Sequence, residues 1–185
     1  MTRATVTGAS GLVGANLVRR LLDAGVEVRA ADLRRSVAID DLDIDFVEVD
    51  VRDATSLAAA FQGADVVFHL AAMISIVGDP TGDVWEVNVG GPANAANAAR
   101  SAGVTRFVHC SSVHAFDLEK CGPSLDETGP RTIGDHAPVY DRSKFAGEQG
   151  LLAAAGDELD VVIVNPTGVI GRHDHTPSRT GETIL

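Results

Sequence analysis

Ala4-Thr5-Val6-Thr7-Gly8-Ala9-Ser10-Gly11-Leu12-Val13-Gly14 carries a short β-branched run into a three-glycine turn, and a stretch of helical period follows at once. In a strand–turn–helix unit of this kind the first glycine permits the tight turn. The second lets the backbone approach a diphosphate, and the third lets the helix pack close against the strand. The phosphates then meet the free N–H groups and the positive dipole end of the helix. The spacing here is Gly-x-x-Gly-x-x-Gly, one residue wider at the start than the common dinucleotide fingerprint. Position carries the reading, because the turn sits between the first strand and the first helix.

The pattern continues outward from that unit. Strands are expected at about Ala4–Thr7, Glu27–Ala31, Asp45–Glu48, Val66–Leu70, Arg106–Ser111 and Asp160–Asn165. Helices are expected at about Gly11–Ala24, Ala54–Phe61, Trp85–Ser101 and Val139–Ala155, with Gly25 and Gly103 closing the first and third. This alternation predicts an α/β fold, a Rossmann-type doubly wound parallel sheet with helices on both faces and right-handed crossovers. The Asp117–Pro138 stretch, polar and rich in Gly and Pro, reads as a long loop over the C-terminal edge of the sheet, and loops of that length are usually functional. The Ala/Asn run at Ala93–Arg100 keeps helical spacing.

With 185 residues, one domain is expected, and 45% apolar against 4% aromatic residues suits a core packed from Ala, Val, Leu and Ile. The 15 basic and 26 acidic residues leave a formal charge of −11 with no Lys/Arg cluster, which disfavours nucleic acid. Two cysteines, Cys110 and Cys121, are too few for a disulfide framework, and no metal-ligand motif is present, so no metal site is expected. Met1 leads almost directly into a strand without the basic flank and apolar core of a signal peptide, and no stretch approaches the ~20 apolar residues of a membrane span. A cytoplasmic protein with a small-molecule substrate, and no membrane partner, is the expectation.

Several residues fall where a dinucleotide would need them. Asp32 ends the second strand, where a carboxylate can hold the adenine-ribose hydroxyls and repel a 2′-phosphate, favouring NAD. Arg34 and Arg35 leave NADP open, since a guanidinium two or three residues on can clamp such a phosphate. Asp50 and Val51 follow the third strand, placed for the amino group and the face of the adenine. Leu70, Ala71 and Ala72 follow the fourth, where small residues let a cofactor lie across the strand ends.

Tyr140-Asp141-Arg142-Ser143-Lys144 puts a phenol and an ammonium one helical turn apart on one face. A phenol titrating near pH ~10 is a poor base at neutrality unless positive charge stabilises its anion. Lys144 and a nicotinamide ring supply that charge, so that Tyr140, the one tyrosine of the chain, exchanges a proton with a substrate oxygen. Ser111-Ser112 closes the fifth strand with a hydroxyl able to polarise that oxygen. Asn88, early in its helix, is placed to hold a backbone bend or a water near the lysine. His69, His109 and His114 read as structural residues.

In order and spacing, Thr7–Gly14, Asp50-Val51, His69–Ala72, Asn88, Ser111-Ser112, Tyr140–Lys144 and Asn165-Pro166-Thr167-Gly168-Val169-Ile170-Gly171 resemble the extended short-chain dehydrogenase/reductases, the NAD-dependent epimerase/dehydratases. The resemblance implies Ser112, Tyr140 and Lys144 as the catalytic trio, Ser112 being preferred to Ser111 by its distance from Phe116. It implies Pro166 and Val169 beside the nicotinamide, and Tyr140 and Lys144 in contact with cofactor as well as substrate. Gly8, Gly11, Leu12, Val13 and Gly14 take the diphosphate turn. Asp117 stands where the family usually has glycine after the aromatic. The implied activity is hydride transfer between nicotinamide and an alcohol or ketone carbon, slightly closer in wording to the dihydroflavonol-reductase-like branch. The alternatives are a sugar-nucleotide epimerase/dehydratase using transient oxidation and a non-catalytic dinucleotide-binding module. The family often dimerises through the helices corresponding to 85–101 and 139–155. It also carries a C-terminal substrate lobe, whereas residues 1–185 correspond to the NAD(P)-binding domain and end in what reads as the start of another helix. The 185-residue chain is therefore expected to bind NAD measurably and to turn over weakly, because an open cleft admits water that screens the site. Robust steady-state turnover from a product of verified mass would contradict this.

Overall fold

The computed structural model describes residues 1–175; the helix start read near the chain end lies outside them. The elements, in order, are β1 (Arg3–Thr7), α1 (Leu12–Asp23), β2 (Glu27–Asp32), β3 (Asp45–Glu48), α2 (Ala54–Ala60), β4 (Val66–His69), α3 (Asp83–Trp85), a π turn (Glu86–Gly90), α4 (Gly91–Ser101), β5 (Arg106–Cys110), α5 (Val139–Ala155) and β6 (Asp160–Val164). The strands form one sheet in the order β3-β2-β1-β4-β5-β6, every neighbouring pair parallel. Strand order reverses beside β1, and open α/β sheets bind ligands at such a switch point, outside the strands' C-terminal ends.

Alternation along β1 shows how the two faces are covered. Val6 points into a cluster with Val18 of α1, Val28 and Ala30 of β2, and Ile39. Thr5 faces the other way and donates to Ala60 O of α2 at 3.2 Å. That second face holds Leu57, Phe61, Val67, Ala95, Phe107 and Leu151, which tie α2, α4 and α5 to the sheet. Full burial of such side chains stabilises by about 1.5–3 kcal/mol each. Among the described residues no helix is long and apolar enough to cross a membrane.

Observed strand and helix ends agree with the sequence pattern to within a residue or two, and one helix departs from it. The segment read as a regular helix from Trp85 begins at Asp83 and passes through the π turn before α4. Pro92 has no N–H to offer the Asn88 carbonyl four residues back, so the regular ladder is broken there and the turn widens. The long loop is also more ordered at its ends than polarity alone suggests. A 3₁₀ turn at Val113–Ala115 leads into an isolated antiparallel bridge between Phe116 and Arg131.

His69 and His109 are register partners on β4 and β5, both buried, with ring centroids 5.5 Å apart. His69 Nδ1 meets Thr7 Oγ1 at 2.8 Å, while His69 Nε2 and His109 Nδ1 have no partner among the described residues. Burial pushes His69 down to about 3 and holds His109 well below its ordinary value, with Lys144 adding to both. Both rings are neutral in the fold, whereas in the unfolded chain they protonate near pH ~6.5. Their contribution is therefore complete above pH ~6.5 and is lost as pH falls toward 3, at up to about 1.4 kcal/mol per pH unit for each ring. Urea denaturation between pH ~4 and ~7 should show this acid limb, and His109→Phe should flatten it; an unchanged slope would mean that His109 is not held neutral.

Candidate active site

The glycine turn is built by three different constraints. Gly8 has φ +69°, a left-handed conformation, and a Cβ there would lie 2.6 Å from Ala71 N, so β4 can end against the turn only if residue 8 is glycine. A Cβ on Gly14 would lie 2.1 Å from the Gly8 carbonyl oxygen, so the third glycine sets how closely α1 approaches β1. A Cβ on Gly11 would meet only Gly8 O, at 3.5 Å, and would otherwise stand in open space where Gly11 lines the cleft. Gly11 is also the N-cap of α1 and offers no side-chain acceptor. The first-turn residues Leu12, Val13 and Gly14 line the same cleft, so an anion can take the place of the missing cap. This uncapped, unobstructed turn fits a diphosphate.

The cleft continues from the turn in both directions as two adjoining cavities of about 420 and 500 Å³ that share Gly8, Gly11, Leu70 and Ala72. Asp32 lines the larger. Its carboxylate accepts from Ser10 N at 2.9 Å and Leu33 N at 2.8 Å, so it pins the glycine turn as well as facing the cleft. Burial pushes this carboxyl up, the N–H bonds and the Arg34 charge opposing. Arg34 lines the same cavity, but Arg35 is turned away to Ile39 O, Leu42 O and an ion pair with Asp40. Asp50, Val51, Leu70, Ala71 and Ala72 all line this end. Asp50 is held by Arg52, whose guanidinium keeps the carboxyl below the usual range and also reaches Asp83 and Glu86. The sequence reading did not anticipate this arginine.

Ser111, Ser112, Tyr140, Lys144, Pro166 and Val169 line the smaller cavity, together with the first turn of α1. Ser112 Oγ accepts from His114 N at 3.2 Å, and its hydroxyl also meets the Tyr140 phenol. Ser111 Oγ is buried without a partner among the described residues. Lys144 is only 3% exposed and donates to Cys110 O at 3.1 Å. Burial pushes its ammonium down, with Cys110 and Glu148 opposing. Burial pushes the Tyr140 phenol up, the Ser112 hydroxyl opposes, and Cys110 and Asp141 add to the rise.

The helix bearing Tyr140 and Lys144 is located by a contact at Gly147, where a Cβ would lie 2.1 Å from Asn88 O in the π turn. Asn88 is buried and does not reach Lys144. Its Nδ2 donates to Met73 O at 2.8 Å and Ser143 Oγ at 3.0 Å, its Oδ1 accepts from Met73 N at 2.8 Å, and Ser143 Oγ in turn donates to Tyr140 O at 2.7 Å. Asn88 lies within the π turn and lines neither cavity. Ser143 and Gly147 went unnoticed, although both stand at helical spacing from Tyr140 and Lys144.

A doubly wound parallel sheet with an uncapped glycine turn at its switch point is the architecture of dinucleotide-binding α/β proteins. Residues 4–184 match the NAD dependent epimerase/dehydratase family, and the chain belongs to it. It is 39% identical over 184 residues to sterol demethylase protein B of Methylococcus capsulatus, covering 97% of this chain and 55% of that protein. It is 36% identical over 184 residues to a 3 beta-hydroxysteroid dehydrogenase/Delta 5→4-isomerase of Mycobacterium tuberculosis, covering 96% of this chain and 50% of that one. A short-chain dehydrogenase/reductase superfamily protein of Agrobacterium tumefaciens, solved with bound NAD, superposes with a TM-score of 0.75 at 30% identity, covering 88% of this chain and 48% of that one. The chain therefore spans about half the length of the curated relatives it matches.

The glycines separate binding from folding. Gly14→Ala should lower stability by about 1–3 kcal/mol, because a backbone carbonyl blocks the added methyl. Gly11→Ala should melt close to the parent and lose NADH affinity, as read by fluorescence titration. Unchanged affinity in Gly11→Ala would remove the diphosphate from this turn.

Proposed function

We propose that the chain binds NAD along the strand ends, with the diphosphate on the first turn of α1, and interconverts an alcohol and a ketone using Tyr140 as acid/base. The observation that carries this reading is the placement of Ser112, Tyr140 and Lys144 in one cavity with that turn. NAD is favoured over NADP because Asp32 has carboxylate lone pairs left for ribose hydroxyls and Arg35 is committed elsewhere. The similarity to a hydroxysteroid dehydrogenase supports net oxidation or reduction of an alcohol carbon.

Bound in this cleft, the nicotinamide supplies the hydride acceptor or donor and, when oxidised, a positive ring charge. In the oxidative direction Tyr140 takes the hydroxyl proton as the carbonyl forms, and in the reductive direction it returns one. Ser112, its oxygen already accepting from His114 N, donates to the substrate oxygen. Lys144 spends one of its three hydrogens on Cys110 O and keeps the others for the cofactor ribose and the phenolate's field. Moving a phenol from ~10 toward neutrality takes about 1.4 kcal/mol per unit, and burial in the chain alone works against it. The ammonium and the ring charge must overcome both.

Tyr140→Phe should lower the single-turnover rate by roughly 10²-fold or more while NAD affinity stays near the parent's. Surviving activity would remove Tyr140 from the proton step. Reduced-cofactor absorbance in the same experiment distinguishes net redox, which leaves a lasting change, from epimerisation, which does not.

A further inference from the structure

Behind Ser112 a chain of polar contacts leads out of the cavity and closes on itself. Backbone pairing between β5 and β6 continues past the strands, with Ser111 N donating to Val164 O at 2.8 Å and Val113 N to Pro166 O at 2.9 Å. Pro166 has no N–H to give back, so a ladder donor is lost between them. Asn165 supplies one from its side chain, with Nδ2 donating to Ser112 O at 2.9 Å and, through its second hydrogen, to Glu148 Oε1 at 2.7 Å. Glu148 Oε2 accepts from Arg131 Nη1 at 3.1 Å. Arg131 lies over the Phe116 ring at 3.8 Å and bridges to Phe116 across the loop. Phe116 is four residues beyond Ser112, so the ring of contacts returns to its start.

Glu148 is unusual within this ring, because its side chain is 3% exposed and it does not line either cofactor cavity. A carboxylate buried to that degree costs several kcal/mol in desolvation, and a packed apolar side chain would be cheaper for stability alone. Its position explains its presence: one turn beyond Lys144 on α5, it joins the helix that carries Tyr140 to both the β6 end, through Asn165, and the loop, through Arg131.

We propose that Glu148 and Asn165 are positioning residues that hold the Ser112 main chain at a set distance from Tyr140 and thereby set the acidity of that tyrosine. The inference rests on the reading that Ser112 and Tyr140 work together. Besides Ser112, the groups facing the phenol are Asp141 and Lys144 on α5, Cys110 at the end of β5, and His114 of the 3₁₀ turn, whose ring stands edge-on at 5.9 Å. Asp174 lines the same cavity. Of these only Lys144 also feels the Glu148 charge, so Asn165→Leu, which leaves that charge in place, is the change whose shift reports on Ser112.

Tyr140 is the one tyrosine of the chain, so its titration needs neither cofactor nor substrate to be read. A ring-fluorinated tyrosine incorporated at that position titrates below the alkaline unfolding range and is followed by fluorine NMR. Asn165→Leu in the full chain should raise the midpoint by about 0.5–1 pH unit, the scale of one hydrogen bond. The paired change Arg131→Met with Glu148→Leu, which leaves no buried charge unpaired, should raise it in the same sense and decides the matter if Asn165→Leu does not fold. In a Ser112→Ala background Asn165→Leu should leave the midpoint in place, and the paired change should lose the part of its shift that passes through Ser112. A full-sized shift that persists in that background would overturn the proposal. A parent-like midpoint in the folded variants would overturn it as well. If Ser112→Ala alone leaves the midpoint in place, the pairing of Ser112 with Tyr140 fails; if it shifts the midpoint and the other variants do not, only the role of Glu148 and Asn165 fails.

Discussion

The contact between Gly14 and the Gly8 carbonyl decides where the first helix can lie. With no Cβ at Gly14, α1 settles against the end of β1, and its uncapped first turn lines the cleft. Everything along the cleft is measured from that point. Gly8 brings the end of β4 against the turn, Asp32 fixes the turn from β2 through Ser10 N, and Leu70 and Ala72 are shared by the cavities on either side. A helix displaced by one methyl group would lose the free amides and the common floor together.

A second close approach does for the far end of the cleft what Gly14 does for the near end. Gly147 lets α5 touch the Asn88 carbonyl, and that carbonyl is available because Pro92 cannot engage it in the helical ladder. The π turn is therefore part of the packing that sets the height of Tyr140 and Lys144 over the sheet. Asn88 and Ser143 then lock this placement to Met73 at the cleft edge. Two glycines on two helices thus fix the separation between the glycine turn and the phenol.

Legibility in the sequence followed the range of the forces involved. Strand and helix order, the glycine turn and the Tyr/Lys spacing are local patterns, and each is visible within a few residues of Thr7, Gly25 or Tyr140. The π turn was hidden because its cause, Pro92, acts on a carbonyl whose other partner, Gly147, lies 55 residues beyond it. Asp32 illustrates the same limit from the other side. Its place at the strand end was readable, but its bond to Ser10 depends on how β1 and β2 pair. Sequence neighbourhood left Arg35 open to a 2′-phosphate and Asn88 to a backbone bend or a water near the lysine; folding pairs the first with Asp40 and the second with Met73 and Ser143.

The charge of the cleft differs from that of the chain as a whole, since Arg34, Arg52 and Lys144 line it opposite Asp32, Asp50 and Asp174. A formal charge of −11 would repel an anionic dinucleotide if the field were uniform, but exposed charges are screened beyond about 8–10 Å at ordinary ionic strength. Within that distance the cleft presents the amide end of α1, Arg34 on one side and the Lys144 ammonium on the other. Burial pushes the Lys144 ammonium down and the Tyr140 phenol up, so it biases both groups toward their uncharged forms. On the function proposed above, the positive ring of an oxidised nicotinamide would oppose that bias at the phenol, and cofactor binding would then favour the phenolate.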